Sequence, residues 1–440
     1  MSGAALGLAM FAAMLVMMAV RVPIAVAMFV PGAIGYWAMT SDANLLALLK
    51  GSAVARLSVY DLSVIPLFLL MGQFASHGGL SRALFEAATA FVGHVRGGLA
   101  IAAVLAGAAF GAVCGSSVAT SATIAQVAYP EMRRLGYSGR LSTATLACSG
   151  TMGILIPPSV PLVVYAILTE QSIARLFAAA LVPGLLAVLG YVVVIMVWCR
   201  LRPDMSMPAP RMAWRRRFAA LVGVWPIAAI FVAVFGGIYG GVFTPTEGAA
   251  VGAIGTFVAG AAAGDLRLKQ LKLSFLGAAE TSAMVFMIFL GADMMNSALA
   301  LTRMPADLAQ LITQLDLSPI WVIAGILVFY VLLGCVMDEL SMIMLTIPVL
   351  FPSVIALELM GLGPQDKAIW FGVLVLGVVG IGLVAPPIGL NVYVVNALCP
   401  GVPMMETYKG VLHFLISDVL RMIVLLAFPA VTLAAVWWLF

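Results

Sequence analysis

The sequence predicts an all-α polytopic membrane protein, arranged as an inverted repeat with two re-entrant helical hairpins and two broken helices. Three observations carry that prediction. Of the 440 residues, 64% are hydrophobic and 9% are charged, whereas a soluble domain is about half apolar and about a quarter charged. The apolar residues come in long unbroken runs, which a barrel with alternating positions does not show. The two halves of the chain carry matching Gly-, Ser- and Pro-containing strings in the same order. The few polar residues cannot cover so much apolar surface, so a cytosolic enzyme, a nucleic-acid binder and a secreted disulfide scaffold are excluded as whole-chain readings. The formal charge of +4 is too small to point to nucleic acid. Cys114, Cys148, Cys199, Cys335 and Cys399 form no CxxC pair, and His77, His94 and His413 stand alone. Metal or redox chemistry on these residues therefore has no support.

A crossing needs roughly 20 apolar residues to span ~30 Å of hydrocarbon. Crossings are predicted at 3–20, 22–40, 62–78, 141–169, 174–199, 218–240, 244–263, 276–300, 367–398 and 418–439. The start lacks a basic segment and reads as a first spanning helix rather than a cleaved signal. The stretches 41–58, 79–96, 302–316 and 403–416 are amphipathic and are expected along the interface or as connecting arms. The linker 200–217 carries Arg200, Arg202, Arg211, Arg215, Arg216 and Arg217, which places it in the cytoplasm. Counting crossings outward puts Arg133, Arg134, Arg140, Arg267, Lys269 and Lys272 on the same side. Lys50, Arg56, Arg175, Arg303, Lys367 and both termini fall on the outer face. The predicted organisation is scaffold helices and a first arm in 1–97, a first repeat unit in 98–199 and the linker 200–217. Scaffold helices and a second arm follow in 218–317, then a second unit with the last helix in 318–440.

The halves resemble each other. FGAVCGSSVATSATIAQVAYPEM is followed by GTMGILIPPSVPLVVYAIL, and LLGCVMDELSMIMLTIPVLFPSV is followed by GIGLVAPPIGLNVYVVNAL. Aligning Gly111 with Gly334 gives an offset of 223, and aligning Pro157 with Pro386 gives 229. With the charge-derived topology, the first unit enters from the cytoplasm and the second from outside, a plan that recurs in secondary transporters.

Residues 98–130 form the first predicted hairpin. Each arm reaches only ~20–25 Å at ~1.5 Å per residue, short of a crossing. The polar tip Gly115-Ser116-Ser117 then stops inside the bilayer, which irregular backbone tolerates only when buried in protein or facing a cavity. His94 and Arg96 before the segment and Arg133 and Arg134 after it fit a return to the same side. Residues 318–353 repeat the pattern around Gly334 to Ser341. The alternative is two ordinary helices using Ser and Gly for close packing.

Pro157-Pro158 and Pro386-Pro387 interrupt apolar runs. Each proline removes a donor and clashes one turn back, and the residue before it is pushed out of helix. The carbonyls set free, in the predicted broken helices 141–169 and 367–398, are hard ligands for a small cation, with serine oxygens or the Asp338 carboxylate added by the tips. The plain alternative is a packing kink. Ser116, Ser117, Thr120 and Ser121 can also meet an anionic substrate at half-helix N-termini, and Asn391 and Tyr393 offer further hydrogen bonds. Asp338 is the strongest ionisable candidate, with a helix cap as its structural alternative. Glu339 is expected to face a solvated cavity. Thr244-Pro245-Thr246-Glu247 reads as a capped helix start. Asp418 and Arg421 are expected to pair at an interface, and Asp293 and Glu280 to form buried polar links.

The strings GSSVATSATIAQVAYPEMRRLGY, ACSGTMGILIPPSVPLVVYA, GVFTPTEGAA and GCVMDELSMIMLTIPVLFPSV closely resemble the large membrane subunit of TRAP (tripartite ATP-independent periplasmic) transporters, of the DctM and SiaM kind within the ion transporter superfamily. The resemblance runs from about residue 5 to 435. It implies sodium-coupled import by an elevator-type mechanism in a bacterial or archaeal inner membrane. It also implies two partners, a small four-helix membrane subunit and a periplasmic substrate-binding protein. The chain begins directly with this subunit's first helix, so the small subunit is expected as a separate protein. Organic acids are the implied substrates; sialic acid, dicarboxylates, keto acids and sugar acids all fit. Two or more sodium ions are implied. Carried onto this chain, a first sodium site involves Gly115, Ser116, Ser117 and the break from Gly153 through Ile156 to Pro157. A second involves Gly334, Met337, Asp338 and the break from Gly382 through Val384 and Ala385 to Pro386. Where relatives often have Thr-Pro-Pro, this chain has Ala385-Pro386-Pro387, which removes a hydroxyl from the second site. A receptor-independent sodium/carboxylate carrier of the same superfamily and a passive channel are the competing transport readings. No HExxH, GxSxG with a histidine, or histidine pair supports an intramembrane enzyme.

Overall fold

A computed structural model describes residues 3–304, Asp307 and 318–440. The described residues are helical throughout, without strands. Among the described residues, seven helices are long and apolar enough to cross a membrane, or eight if the bent pair Asp42–Leu57 and Tyr60–His77 is one span. Part of the difference from the ten predicted crossings is one of helix length. Gly3–Ala19 and Ile24–Met39 have 17 and 16 residues, short of the roughly 20 a perpendicular span needs. Glu339–Ala356, read from sequence as a hairpin arm, is long and apolar enough to cross a membrane. The predicted arm at 302–316 lies almost wholly outside the described residues.

The two broken helices form the centre of the molecule. In the most apolar window of Gly139–Thr169, 83% of residues are buried, and in Pro364–Gly382 89%, against 17% in Trp214–Tyr239. Helices 214–239, 245–262 and 268–302 pack with Gly3–Ala19, Ile24–Met39 and Val64–His77, and this group meets the centre through Val64–His77 on Gly98–Cys114 and 268–302 on Glu339–Ala356. Their close approach uses glycine: a Cβ on Gly32 would stand 2.7 Å from the Met295 backbone nitrogen.

Local chemistry explains the element ends. Thr244 and Glu247 form a reciprocal capping box at the start of Pro245–Ala262. The Thr244 backbone N–H donates to Glu247 at 2.8 Å, and the Glu247 N–H donates to the Thr244 hydroxyl at 3.3 Å. Thr244→Ala should cost about 1 kcal/mol, the usual value of a lost cap, read as a lower melting temperature of the purified protein. Asp42–Leu57 buries none of its residues, in line with an interfacial position. Arg56 at its end pairs with Asp293 of helix 268–302, so one of the two expected polar links is made. Glu280 departs from expectation: it is exposed on the same long helix.

The segment Leu80–Val92 is amphipathic, burying Leu80, Leu84, Phe85, Ala87 and Ala90 against helices 98–114 and 214–239. The predicted division into an arm at 403–416 and a crossing at 418–439 is not what forms. One helix runs Met404–Ala427, and the break comes at Phe428, before Pro429–Leu439. Asp418 and Arg421 interrupt the apolar run in the sequence without interrupting the helix. They pair at 2.9 Å in the protein interior, 2% and 9% exposed.

Candidate functional site

Helix Gly98–Cys114 ends at Gly115, whose φ of 67° is a left-handed conformation that glycine adopts without strain. Ser116 is extended, and a second helix begins at Ser117 and runs to Arg134, past the predicted limit of 130. The base of this pair is tied by the Leu99 N–H, which donates to the Tyr137 hydroxyl at 3.1 Å. Burial pushes the Tyr137 hydroxyl up to about 12, so it stays protonated there at neutral pH.

Beside this tip lies the first break. Helix Gly139–Gly150 bends at Thr151 into the single turn Met152–Leu155, Ile156 is extended, and the Pro157-Pro158 bond is cis. Ser159 caps the restarted helix Val160–Thr169. Glycines bring tip and break together. A Cβ on Gly115 would meet Val160 and the Pro158 carbonyl at 3.3–3.4 Å. A Cβ on Gly111 would stand 2.7 Å from Gly153 Cα, and one on Gly153 would meet the Thr120 hydroxyl and the Ser116 carbonyl at 2.9 and 3.0 Å. The two backbones therefore cross in contact, with no side chain between them.

The second half repeats this construction. Helix Pro319–Gly334 ends before Met337, and Glu339–Ala356 begins after Asp338. Helix Pro364–Gly382 unwinds through Val384 and Ala385 to a cis Pro386-Pro387 bond, and Leu390–Leu398 restarts after Gly389. Lys367 in its first turn donates to the Ile355 and Leu357 carbonyls at 2.8 Å, closing the end of the neighbouring helix. A Cβ on Gly382 would stand 2.6 Å from Gly334 Cα. The Gly334–Gly382 crossing thus answers the Gly111–Gly153 crossing, at the sequence offsets of 223 and 229 read from the strings. Tip and break are also hydrogen-bonded, the Gly389 N–H donating to the Cys335 carbonyl at 3.3 Å.

The halves interlock reciprocally. Val160–Thr169, after the first break, packs on Glu339–Ala356 of the second half, with Tyr165 edge-on to Phe351. Leu390–Leu398, after the second break, packs on Ser117–Arg134 of the first. Asn391 makes that contact specific: its Nδ2 donates to Ser117 Oγ at 2.6 Å and to the Ala147 carbonyl at 3.3 Å.

Most expected site residues come together. Ser117, Thr120 and Asn391 are fully buried at the contact between the halves. The Thr120 hydroxyl donates to the Ser116 carbonyl at 2.7 Å. Asp338 is the helix cap its structural alternative describes, accepting from the Ser341 hydroxyl at 2.5 Å and the Ser341 N–H at 3.2 Å. Tyr393, 59% exposed, lies apart from the buried Asn391. Glu339 is not in a solvated cavity: it is 6% exposed, and its Oε1 accepts from the Ser117 N–H at 3.3 Å. The backbone crossings leave only a pair of glycines per half as their trace in the sequence.

Comparison with known proteins gives a fold and a family. A solved structure, the Alcanivorax borkumensis YdaH transporter, matches with a TM-score of 0.60 at 14% identity, over 88% of this chain and 89% of that one. The likeness is one of fold. The C4-dicarboxylate TRAP transporter large permease protein DctM of Pseudomonas aeruginosa is 39% identical over 86% of this chain and 87% of its own length. The ectoine TRAP transporter large permease protein TeaC of Halomonas elongata is 28% identical over 96% of this chain and 97% of its own. The family model described as the DctM component of tripartite ATP-independent periplasmic transporters matches residues 11–431. This chain belongs to that family of polytopic membrane transporters.

Proposed function

We propose that the chain is the large membrane subunit of a sodium-driven importer of an organic acid, a carboxylate delivered by a periplasmic substrate-binding protein. The observation that supports this best is the doubled pairing of a hairpin tip with a Pro-Pro break, each held by a glycine crossing. A helix broken twice in this way offers carbonyls that have lost their donors, and those oxygens suit a small cation. In this reading the helix pairs 98–134 and 319–356 are re-entrant hairpins of oppositely oriented repeats in a bacterial or archaeal inner membrane. Gly115, Ser116, Ser117 and the Gly153–Pro157 break hold one sodium ion. Gly334, Met337, Asp338 and the Gly382–Pro386 break hold a second. Helix starts at Ser117 and Glu339 favour an anionic solute between the tips. The interlocked hairpins and broken helices travel together as the elevator unit against the outer helices. The relatives named for C4-dicarboxylate and for ectoine support an organic acid without fixing which one.

A small four-helix membrane subunit completes the assembly. The exposed Glu280 lies on helix 268–302 among exposed Phe275, Leu276, Met284 and Met287. A carboxylate on such a face is costly against lipid and gains from a protein partner.

The test is uptake by proteoliposomes holding the chain, its small subunit and the cognate binding protein. An inward sodium gradient should raise uptake; equal uptake without sodium overturns the reading, and full uptake without the binding protein favours a receptor-independent carrier. Ser116→Ala and Asp338→Ser should each raise the half-saturating sodium concentration about tenfold, equivalent to ~1.4 kcal/mol of lost binding. Serine at 338 keeps an acceptor for the helix cap, so a changed sodium response there reports the lost carboxylate rather than a frayed helix. Wild-type sodium curves in both variants would show the assignments to be wrong.

A further inference from the structure

A cavity of about 1050 Å³ opens where the base of the first hairpin, the amphipathic helix Leu80–Val92 and the arginine-rich linker meet. None of the residues assigned to ions or solute lines it. Its wall carries four arginines from separate elements. Arg82 comes from Leu80–Val92, Arg134 from the end of Ser117–Arg134, and Arg211 and Arg216 from the linker and the start of helix 214–239. Two carboxylates, Glu86 and Glu131, line it as well, so the wall has a surplus of two positive charges. Glu131 is taken by Arg134 at 2.7 Å. Among the described residues no ion pair engages Arg82, Arg211 or Arg216.

The linker that brings this charge is fastened down. The Ser138 N–H donates to the Met205 carbonyl and the Ala209 N–H to the Gly93 carbonyl, each at 2.9 Å. The segment from Ala209 to Ala213 is thereby held as one side of the cavity. Phe85, Leu99, Val127 and Leu135 add an apolar lining. A small soluble anion gains nothing from that lining, whereas an amphiphile does.

Helix 214–239 fixes the depth. Trp214 and Phe218 are 64% and 59% exposed, with rings 6.0 Å apart, and exposed Leu221, Val222 and Trp225 follow. Exposed aromatic residues at a helix end mark the headgroup level of a bilayer. Arg216 and Ala220, on the same two turns, line the cavity, which puts it at that level. The density of arginine in 200–217 assigns this level to the cytoplasmic side.

We propose that the cavity binds the headgroup of an anionic phospholipid of the cytoplasmic leaflet. Basic pockets between helices on this side suit such headgroups. The surplus of two charges matches a headgroup with two phosphodiesters, as in cardiolipin. Arg82, Arg211 and Arg216 hold the phosphates, a geometry that guanidinium groups favour, and the apolar lining takes the start of the acyl chains. The lipid bridges the first hairpin, the amphipathic helix and the linker. This site stands apart from sodium coupling, and its test uses no ion gradient.

The complex of the chain with its small subunit, purified in detergent and depleted of lipid, is melted across a series of added cardiolipin. Phosphatidylcholine with the same acyl chains and inorganic phosphate are run in parallel. A ligand bound only by the folded form raises stability with its concentration, so cardiolipin should raise the melting temperature to a plateau and the other two should not. Arg211→Gln/Arg216→Gln should raise the half-saturating cardiolipin concentration about tenfold, through the loss of two basic residues near the bilayer surface. Arg200→Gln/Arg215→Gln removes as many charges from exposed positions outside the cavity and should leave the curve as in wild type. Equal weakening by the two pairs means a diffuse attraction to the basic face and overturns the proposal. Equal protection by phosphatidylcholine or by inorganic phosphate also overturns it. If the first pair does not yield folded complex, Arg82→Gln, on another element, should raise the half-saturating concentration several-fold, and an unchanged value overturns the proposal.

Discussion

Asp418→Asn is expected to destabilise the protein by about 3–5 kcal/mol, the usual cost of removing one member of a buried ion pair. Asp418 holds two groups at once. Its Oδ2 accepts from the Tyr191 hydroxyl of helix Ile173–Leu201 at 2.8 Å, and its Oδ1 lies 2.9 Å from Arg421 Nη2. The Arg421 Nε and Nη1 atoms have no other partner. The asparagine variant keeps an acceptor for Tyr191 but leaves the guanidinium charge buried and alone. Replacing the arginine as well, in Asp418→Asn/Arg421→Met, removes the stranded charge and should recover most of the loss. The pair are neighbours, so their effects do not add. The measurement is the fraction of complex surviving a heat step in detergent, for the two single variants and the double. A double variant no better than Asp418→Asn would mean that the pair's electrostatics are not what holds this contact.

Gly111→Val and Gly382→Val should both abolish uptake, by a different route. At each crossing the atom that a new side chain would strike is backbone: Gly153 Cα at 2.7 Å from the Gly111 position, Gly334 Cα at 2.6 Å from the Gly382 position. Backbone cannot rotate aside, so the hairpin arm has to move off the broken helix. Overpacking a tight contact costs typically ~1–3 kcal/mol, and here the displacement also parts the tip from the break. Folded yield should therefore fall moderately and uptake almost completely. Gly223→Ala is the control: a Cβ there meets nothing within 4 Å, and alanine suits a helix better than glycine. Equal uptake by Gly111→Val and Gly223→Ala would show that the crossings do not position the tips.

What could be read from the letters follows a physical division. The tips and breaks were legible because their causes are local. Gly115 can turn left-handed, Pro157 and Pro386 cannot continue a helix, and Thr244 and Glu247 cap one another within a single turn. The doubling was legible because two landmarks share nearly one offset. The reciprocal packing of 160–169 on 339–356 and of 390–398 on 117–134 was not, since nothing local says which half a half-helix leans on. Glu339 was misplaced for the same reason. Its burial is created by Ser117, more than two hundred residues away. The boundary near 416 failed differently: Asp418 and Arg421 look like an interfacial end, but each neutralises the other inside one continuous helix.

The two proline breaks differ in their exposure at the protein surface. Pro157 and Pro158 are buried, whereas Pro386, Pro387 and Ile388 are exposed. On the proposed assignment, an ion at the second break would have a short way out, and one at the first would have to wait for helices to part.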